Sequence, residues 1–234
     1  MSGAASLYHD ILWNIFDIIA STKDETGWQW RSGRSDEPPS HRVLRDASHT
    51  CAAWRNTLLS SPSLWGKCLT FDELFSSGEA WRLEVIRRSG DAPLYVTRLS
   101  EDTYPDEVED WLMATFIKSN WNQIRSLNII VWARLLETYL EIQSLPPANL
   151  VSCKCFFYGK DDDGSRHEYP QKQYYAIAMG EGAPCLRTLD ISSKELYPLV
   201  LNINISAEPQ RLSQLRELQI NPAHEKKKKK KSRP

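Results

Sequence analysis

The sequence lacks any continuous apolar stretch approaching the roughly 20 residues that a membrane-spanning helix needs. Its N-terminus also lacks the basic segment and apolar core that are typical of a secretion signal. Five cysteines, an odd number, are present without such a signal. This combination indicates reduced thiols. We therefore expect a soluble protein of the cytoplasm, the nucleus or both, with no membrane partner.

Recognisable catalytic patterns are missing as well. There is no phosphate-binding glycine loop, no His-Glu-x-x-His pair and no Gly-x-Ser-x-Gly turn. Cys153 and Cys155 lack the second pair that a zinc site needs, and we expect them to be small buried hydrophobes on one face of a strand. The acidic run 161–163 lacks the closing glutamate of a calcium loop, and we interpret it as surface. We expect no catalytic residue, metal or cofactor.

Charge is distributed unevenly along the 234 residues, although the formal net charge is only -1. Seven basic residues lie between Lys226 and Pro234, whereas all 30 Asp and Glu residues precede them. The acidic body disfavours a specific nucleic-acid-binding fold. The tail, 223–234, should be disordered; a nuclear localisation signal or weak polyanion patch and a merely solubilising tail both stay open.

The first part of the chain predicts apolar helices around one long loop. Residues 7–20 repeat apolar positions at intervals of three and four, and 40–59 do the same. Between them, 23–42 contains Gly, Pro and charged residues, which predicts an inserted loop. Pro62 should open a short third helix that presents Leu64 and Trp65.

Helices and strands are expected to alternate after residue 70. Periodicity predicts helices over 77–89, 106–119 and 135–144, and a strand over 94–99. A triplet with an apolar residue followed by others three and five positions later recurs four times, with starts 26, 36 and 29 residues apart, at Ile124-Leu127-Ile129, Leu150-Cys153-Cys155, Leu186-Leu189-Ile191 and Leu215-Leu218-Ile220. The last two positions of each triplet should face inward from a strand. The pattern approaches an irregular leucine-rich repeat, and another α/β fold with amphipathic strands is the alternative.

Three N-terminal motifs resemble an F-box. The family's Leu-Pro-x-Glu-Ile-Leu-x-x-Ile-Phe corresponds to Leu7–Phe16, its Val-Cys-x-x-Trp-Arg to Thr50–Arg55, and its Pro-x-Leu-Trp to Pro62–Trp65. With Ser-Gly-Asp-Ala-Pro-Leu at 89–94, the chain is similar to the expanded F-box families of mushroom-forming fungi. It departs from the family at Tyr8, which replaces a proline, and in the 23–42 insertion.

The resemblance implies a non-catalytic substrate receptor that docks the Skp-type adaptor of a cullin–RING ubiquitin ligase and holds an unknown protein substrate. It implies these partner-binding candidates: Leu7, Tyr8, Ile11, Leu12, Ile15, Phe16, Leu44, Trp54, Leu64 and Trp65. Four of them are expected to face the partner, namely Leu7, Tyr8, Leu12 and Leu64. For Trp54 and Ile15 a core position stays open.

The expected fold class is α+β or α/β. An F-box-like three-helix unit at 6–70 would precede an irregular leucine-rich-repeat-like solenoid of strands and helices at 71–222. Two other functions stay open: a scaffold whose degenerate F-box no longer joins a ligase, and an enzyme with an unrecognised site. Because the last triplet runs almost directly into the lysine tail, a shortened gene product also stays open, and in that case the final strand would leave an open edge.

Overall fold

The computed structural model describes residues 3–21, 40–98, 107–132, 138–139, 141, 149–158, 185–194 and 215–221. Within them the chain combines helices with one parallel sheet. This arrangement confirms the mixed helix-and-strand class. The predicted loop at 23–42 lies outside the described residues except for 40–42, which are helical and not loop. The run 161–163, most of the predicted helix 135–144 and the lysine tail also lie outside the described residues.

Four helices begin the chain: α1 (Gly3–Ser21), α2 (Ser40–Ser48), α3 (Ala52–Leu59) and α4 (Pro62–Gly66). Pro62 opens α4 as expected, because its fixed φ suits the first turn of a helix. The prediction of one helix over 40–59 is wrong. A turn at His49 and Thr50 interrupts it, and Cys51 is extended, with φ -156° and ψ 168°.

Helices then alternate with strands. The elements are β1 (Leu69–Thr70), α5 (Phe71–Ser76), α6 (Glu79–Ser89), β2 (Leu94–Arg98), α7 (Glu107–Ser119), a 3-10 turn (Trp121–Gln123), β3 (Ile124–Trp132), β4 (Ser152–Tyr158), β5 (Thr188–Lys194) and β6 (Glu217–Asn221). Gly90 follows α6 with φ 48°, a left-handed conformation that glycine tolerates best. In α7 Met113 and Ile117, four positions apart, are fully buried, whereas Leu112 and Phe116 are half-buried.

The six strands form one sheet in the order β1-β2-β3-β4-β5-β6, and every neighbouring pair is parallel. The register aligns the triplets. One row joins Val96, Leu127, Cys153, Leu189 and Leu218, and the next joins Arg98, Ile129, Cys155, Ile191 and Ile220. The spacing of three and five therefore predicted the positions that share one face of the sheet.

Equivalent turns precede successive strands. The backbone N–H of Val151 donates to the carbonyl of Arg125, that of Arg187 to Val151, and that of Arg216 to Arg187, each at 2.8 Å. Each of these four residues directly follows the first apolar residue of a triplet. The same local geometry thus repeats despite the unequal sequence spacing.

A single cluster of buried apolar side chains runs from α1 through the sheet. It crosses the predicted domain boundary at residue 70, where β1 pairs with β2 and α4 packs on α6. Only Lys67 and Cys68 separate α4 from β1. The helices and the sheet are consequently joined without a long linker.

Candidate partner-binding surfaces

One face of α1 belongs to the core. Leu12, Phe16 and Ala20 follow one another at intervals of four, which aligns them along a helix, and all three are buried. The ring of Phe16 meets that of Trp54 edge to face, with centroids 5.5 Å apart. This face therefore holds α1 against the other helices.

The other face of α1 carries three exposed isoleucines at intervals of four and three. Ile11 is 50% exposed, Ile15 46% and Ile18 62%. We call these three residues the isoleucine stripe. Exposed single apolar residues are common on proteins, but an aligned row of them is typical of a surface that binds a partner. The stripe is the strongest docking candidate among the described helices.

Contacts at both ends fix α1 in orientation. Near its start, a hydrogen bond of 3.1 Å joins His9 Nδ1 to the Thr57 hydroxyl of α3. Near its end, Lys67 Nζ donates to Asp17 at 2.6 Å and to Ser21 at 3.2 Å. The first contact places His9 of α1 beside Thr57 near the end of α3, where Leu59 is exposed. The stripe is thus displayed by a helix that is anchored twice.

Residues of α4 are part of the core. Leu64 and Trp65 are fully buried, and Trp65 Nε1 donates to the carbonyl of Leu58 at 2.9 Å. The guanidinium of Arg88 lies 4.5 Å from the ring centroid of Trp65 and 5.5 Å from that of Trp81. Such cation–π contacts strengthen when they are shielded from water. This cluster fastens α4 to α6.

The carboxylate of Glu84 holds that guanidinium in place. Arg88 Nε donates to Glu84 at 2.7 Å, and Arg87 binds the same carboxylate through two nitrogens, at 2.7 and 2.8 Å. These hydrogen bonds lower the pKa of Glu84 to about 2. Glu84 therefore stays charged well into the acid range.

The structure divides the predicted binding residues between core and surface. Ile11 and Ile15 are exposed; Trp54 is half-buried; the side chains of Leu7 and Tyr8 lie outside the described residues. The buried ones are Leu12, Phe16, Leu44, Leu64 and Trp65.

The expectation that Leu12 and Leu64 face a partner is wrong. Both are packed inside the chain, because α2, α3 and α4 already cover that side of α1. Ile18 and Leu59 were missed as surface candidates. The spacing of Ile18 from Ile11 and Ile15 was visible in the sequence, but α1 is apolar on most of its circumference and the spacing does not say which side is buried.

The sheet face opposite the triplet residues carries a polar row that is largely buried or half-buried. Its central row joins Thr97, Asn128, Lys154, Asp190 and Gln219, one from each strand from β2 to β6. Asp190 is buried and accepts a hydrogen bond of 3.2 Å from the Ser192 hydroxyl. Asn128 and Lys154 are half-buried, and among the five members of this row Gln219 is the exposed one.

The cysteines of β4 lie on the core side of the same sheet. The sulfur atoms of Cys153 and Cys155 are 3.7 Å apart, and both side chains are fully buried. The contact with Cys153 and burial raise the pKa of the Cys155 thiol well above its usual range. Both expectations, one shared face and burial, are confirmed. Within the described residues, no group of three or more His, Cys, Asp or Glu side chains is arranged to hold a metal ion.

No protein-family model, curated protein or solved structure matches this chain. Among the helices that the structure describes, none is both long enough and apolar enough to cross a bilayer. The motifs and the exposed isoleucine stripe are therefore the features from which function is inferred.

Proposed function

We propose that this chain is a non-catalytic protein-binding adaptor, the substrate-receptor subunit of a Skp–cullin–F-box ubiquitin ligase, acting in the cytoplasm, the nucleus or both. The isoleucine stripe is the observation that carries the proposal. It lies on the helix that holds the first F-box-like motif, and it presents an aligned apolar surface. An apolar helix face of this kind suits the grooves between helices of an adaptor.

Packing of the three motifs supports the same function. The segments 7–16, 50–55 and 62–65 lie on α1, at the start of α3 and on α4, and these helices pack on one another. Phe16, Trp54 and Trp65 supply large aromatic side chains at the joints between them. The motifs are therefore neighbours in space, as an F-box-like unit requires.

The protein substrate would bind on the sheet, which we propose is an irregular leucine-rich-repeat-like array. Its parallel strands, aligned triplets and repeated turns support that interpretation. The polar row from Thr97 to Gln219 varies from strand to strand, and it reaches the surface at Gln219 on β6. Such a surface suits recognition of one particular polypeptide.

A scaffold that no longer joins a ligase is the second candidate. Burial of Leu12 and Leu64 favours it, because two of the positions that the resemblance assigns to the partner are unavailable. The replacement of the family's proline by Tyr8 also favours the scaffold. In this case the stripe would bind a different protein.

Calorimetric titration of the purified chain with a Skp-type adaptor tests the proposal. Wild type should bind, and the variant Ile11→Asp/Ile15→Asp should not, because an interface that buries these carboxylates must desolvate them without partners. Leu83→Asp is the matched control, since Leu83 is also exposed, at 56%, but lies on α6. A folded wild type that binds no adaptor refutes the ligase function and leaves the scaffold.

A further inference from the structure

The last strand of the sheet leaves a core position uncovered. Within the core row, Val96, Leu127, Cys153 and Leu189 are at most 4% exposed, whereas Leu218 of β6 is 54% exposed. Burying the rest of a leucine side chain contributes roughly 1 kcal/mol. The exposed leucine therefore favours a contact beyond β6.

The backbone pairing of β6 also indicates a contact beyond this strand. β6 pairs with β5 on one side, and none of the other described strands pairs with it on the other side. The side chains of Glu217 and Gln219 are exposed there. An open edge presents backbone donors and acceptors that bind another strand. Pro222 follows Asn221 and lacks an N–H, so the available edge is the five residues of β6.

The sequence of this edge is complementary to itself. In an antiparallel pair centred on Gln219, Glu217 lies opposite Asn221 of the second copy, and Leu218 lies opposite its Ile220. The register then sets an apolar residue type against an apolar one, and no like charges are opposed. A two-fold axis perpendicular to the sheet also keeps the core face of both copies on the same side.

Charge disfavours the parallel alternative. An in-register parallel pair would place Glu217 beside Glu217 of the second copy. It would also bring together the two tails that follow β6, each with seven basic residues between Lys226 and Pro234. In the antiparallel pair the two tails start from opposite ends of the joined strands, roughly 17 Å apart.

We propose that β6 is a homodimer edge, where two copies of this chain join antiparallel about Gln219, so that the six described strands of each copy become parts of one continuous sheet. The inference does not depend on the ligase function, because it uses a different element from the isoleucine stripe. Five residues form a small contact, and small interfaces are weak. The dimer therefore forms reversibly as the protein concentration rises.

Sedimentation velocity over a range of protein concentrations tests the dimer. Wild type should shift from monomer to dimer, and Leu218→Lys should stay monomeric, because a lysine on an edge strand opposes pairing. The matched control is Leu83→Lys, which changes an equally exposed leucine on α6 and should dimerise like wild type. A wild type that is monomeric at every concentration overturns the proposal.

Disulfide trapping tests the register. In a background with the exposed cysteines replaced, Cys51→Ser/Cys185→Ser, the variant Gln219→Cys should cross-link to itself, because opposed residues have Cα atoms roughly 4.5–5.5 Å apart. Glu217→Cys should not, since its copies would lie roughly 13 Å apart along the strands. Equal cross-linking of both variants overturns the antiparallel pair.

Hydrogen exchange identifies a different occupant of the edge. In the dimer, the outward amides of β6 should exchange more slowly as the concentration rises. Protection of these amides in a monomer would show that another segment of the same chain covers the edge, and would also overturn the proposal.

Discussion

Substitutions on the two faces of α1 should separate stability from binding. Leu12→Ala removes a side chain that is 5% exposed and leaves a cavity, which should lower the free energy of unfolding by roughly 2–5 kcal/mol. For a chain of this size that is a fall in Tm of roughly 4–20 °C. Ile15→Ala, three residues later, truncates a half-exposed side chain and slightly improves helix propensity, so the change should stay under roughly 1 kcal/mol.

Thermal and urea unfolding, followed by circular dichroism, measure both values. Both substitutions introduce alanine into the same helix, so each variant is the control for the other. A loss for Ile15→Ala as large as that for Leu12→Ala would refute the assignment of faces, because it would mean that the isoleucine stripe is buried in the free protein. The same contrast explains why Leu12 is a poor choice for a binding test. A substitution there would reduce binding by unfolding the protein, whether or not Leu12 contacts the partner.

Other parts of the structure give three further predictions. Thiol labelling of the folded protein should modify Cys51 and Cys185 quickly and leave three cysteines unreacted until denaturant is added, namely Cys68, Cys153 and Cys155. Gly66→Ala should destabilise by roughly 1–3 kcal/mol in urea unfolding, since its Cβ would lie 2.5 Å from the carbonyl oxygen of Pro93; a gain of roughly 1 kcal/mol, as helix propensity alone predicts, would contradict that contact. Glu84→Gln should lower stability at pH 7, and because the pKa of Glu84 falls from 4.5 to about 2 on folding, the deficit relative to wild type should shrink between those pH values and vanish below them; a deficit independent of pH would exclude the ion pairs as its cause.

Sequence periodicity predicted the sheet well because a strand has a strict alternation of faces. Leu127, Cys153 and Leu189 fall in one row, as the triplets require, even though the segments between the strands differ in length. The break in the second helix could not be predicted in the same way. Cys51 fits the apolar spacing of a continuous helix, yet residues 49–53 are exposed, and the helices before and after the turn each pack on α1.

The candidate surface on α1 was predicted only in part. A helix with apolar residues around most of its circumference offers two possible buried sides, and the choice between them depends on which other helices cover it. Both Leu12 and Ile15 were selected as binding candidates. Leu12 was expected to face the partner but is buried, and Ile15, for which a core position stayed open, is exposed. The exposure of the Leu218 side chain depends on whether another strand lies beyond β6, which the spacing of the triplets does not indicate.

The short connection between α4 and β1 has a mechanical consequence. Two residues join them, β1 already belongs to the sheet, and the stacked Arg88 ties α4 to α6. A protein bound to α1 and another bound to the sheet would thus be kept at one fixed distance and angle. A partner that needs a different spacing would have to change its own conformation, since the two-residue connection between α4 and β1 restricts movement of the helices relative to the sheet.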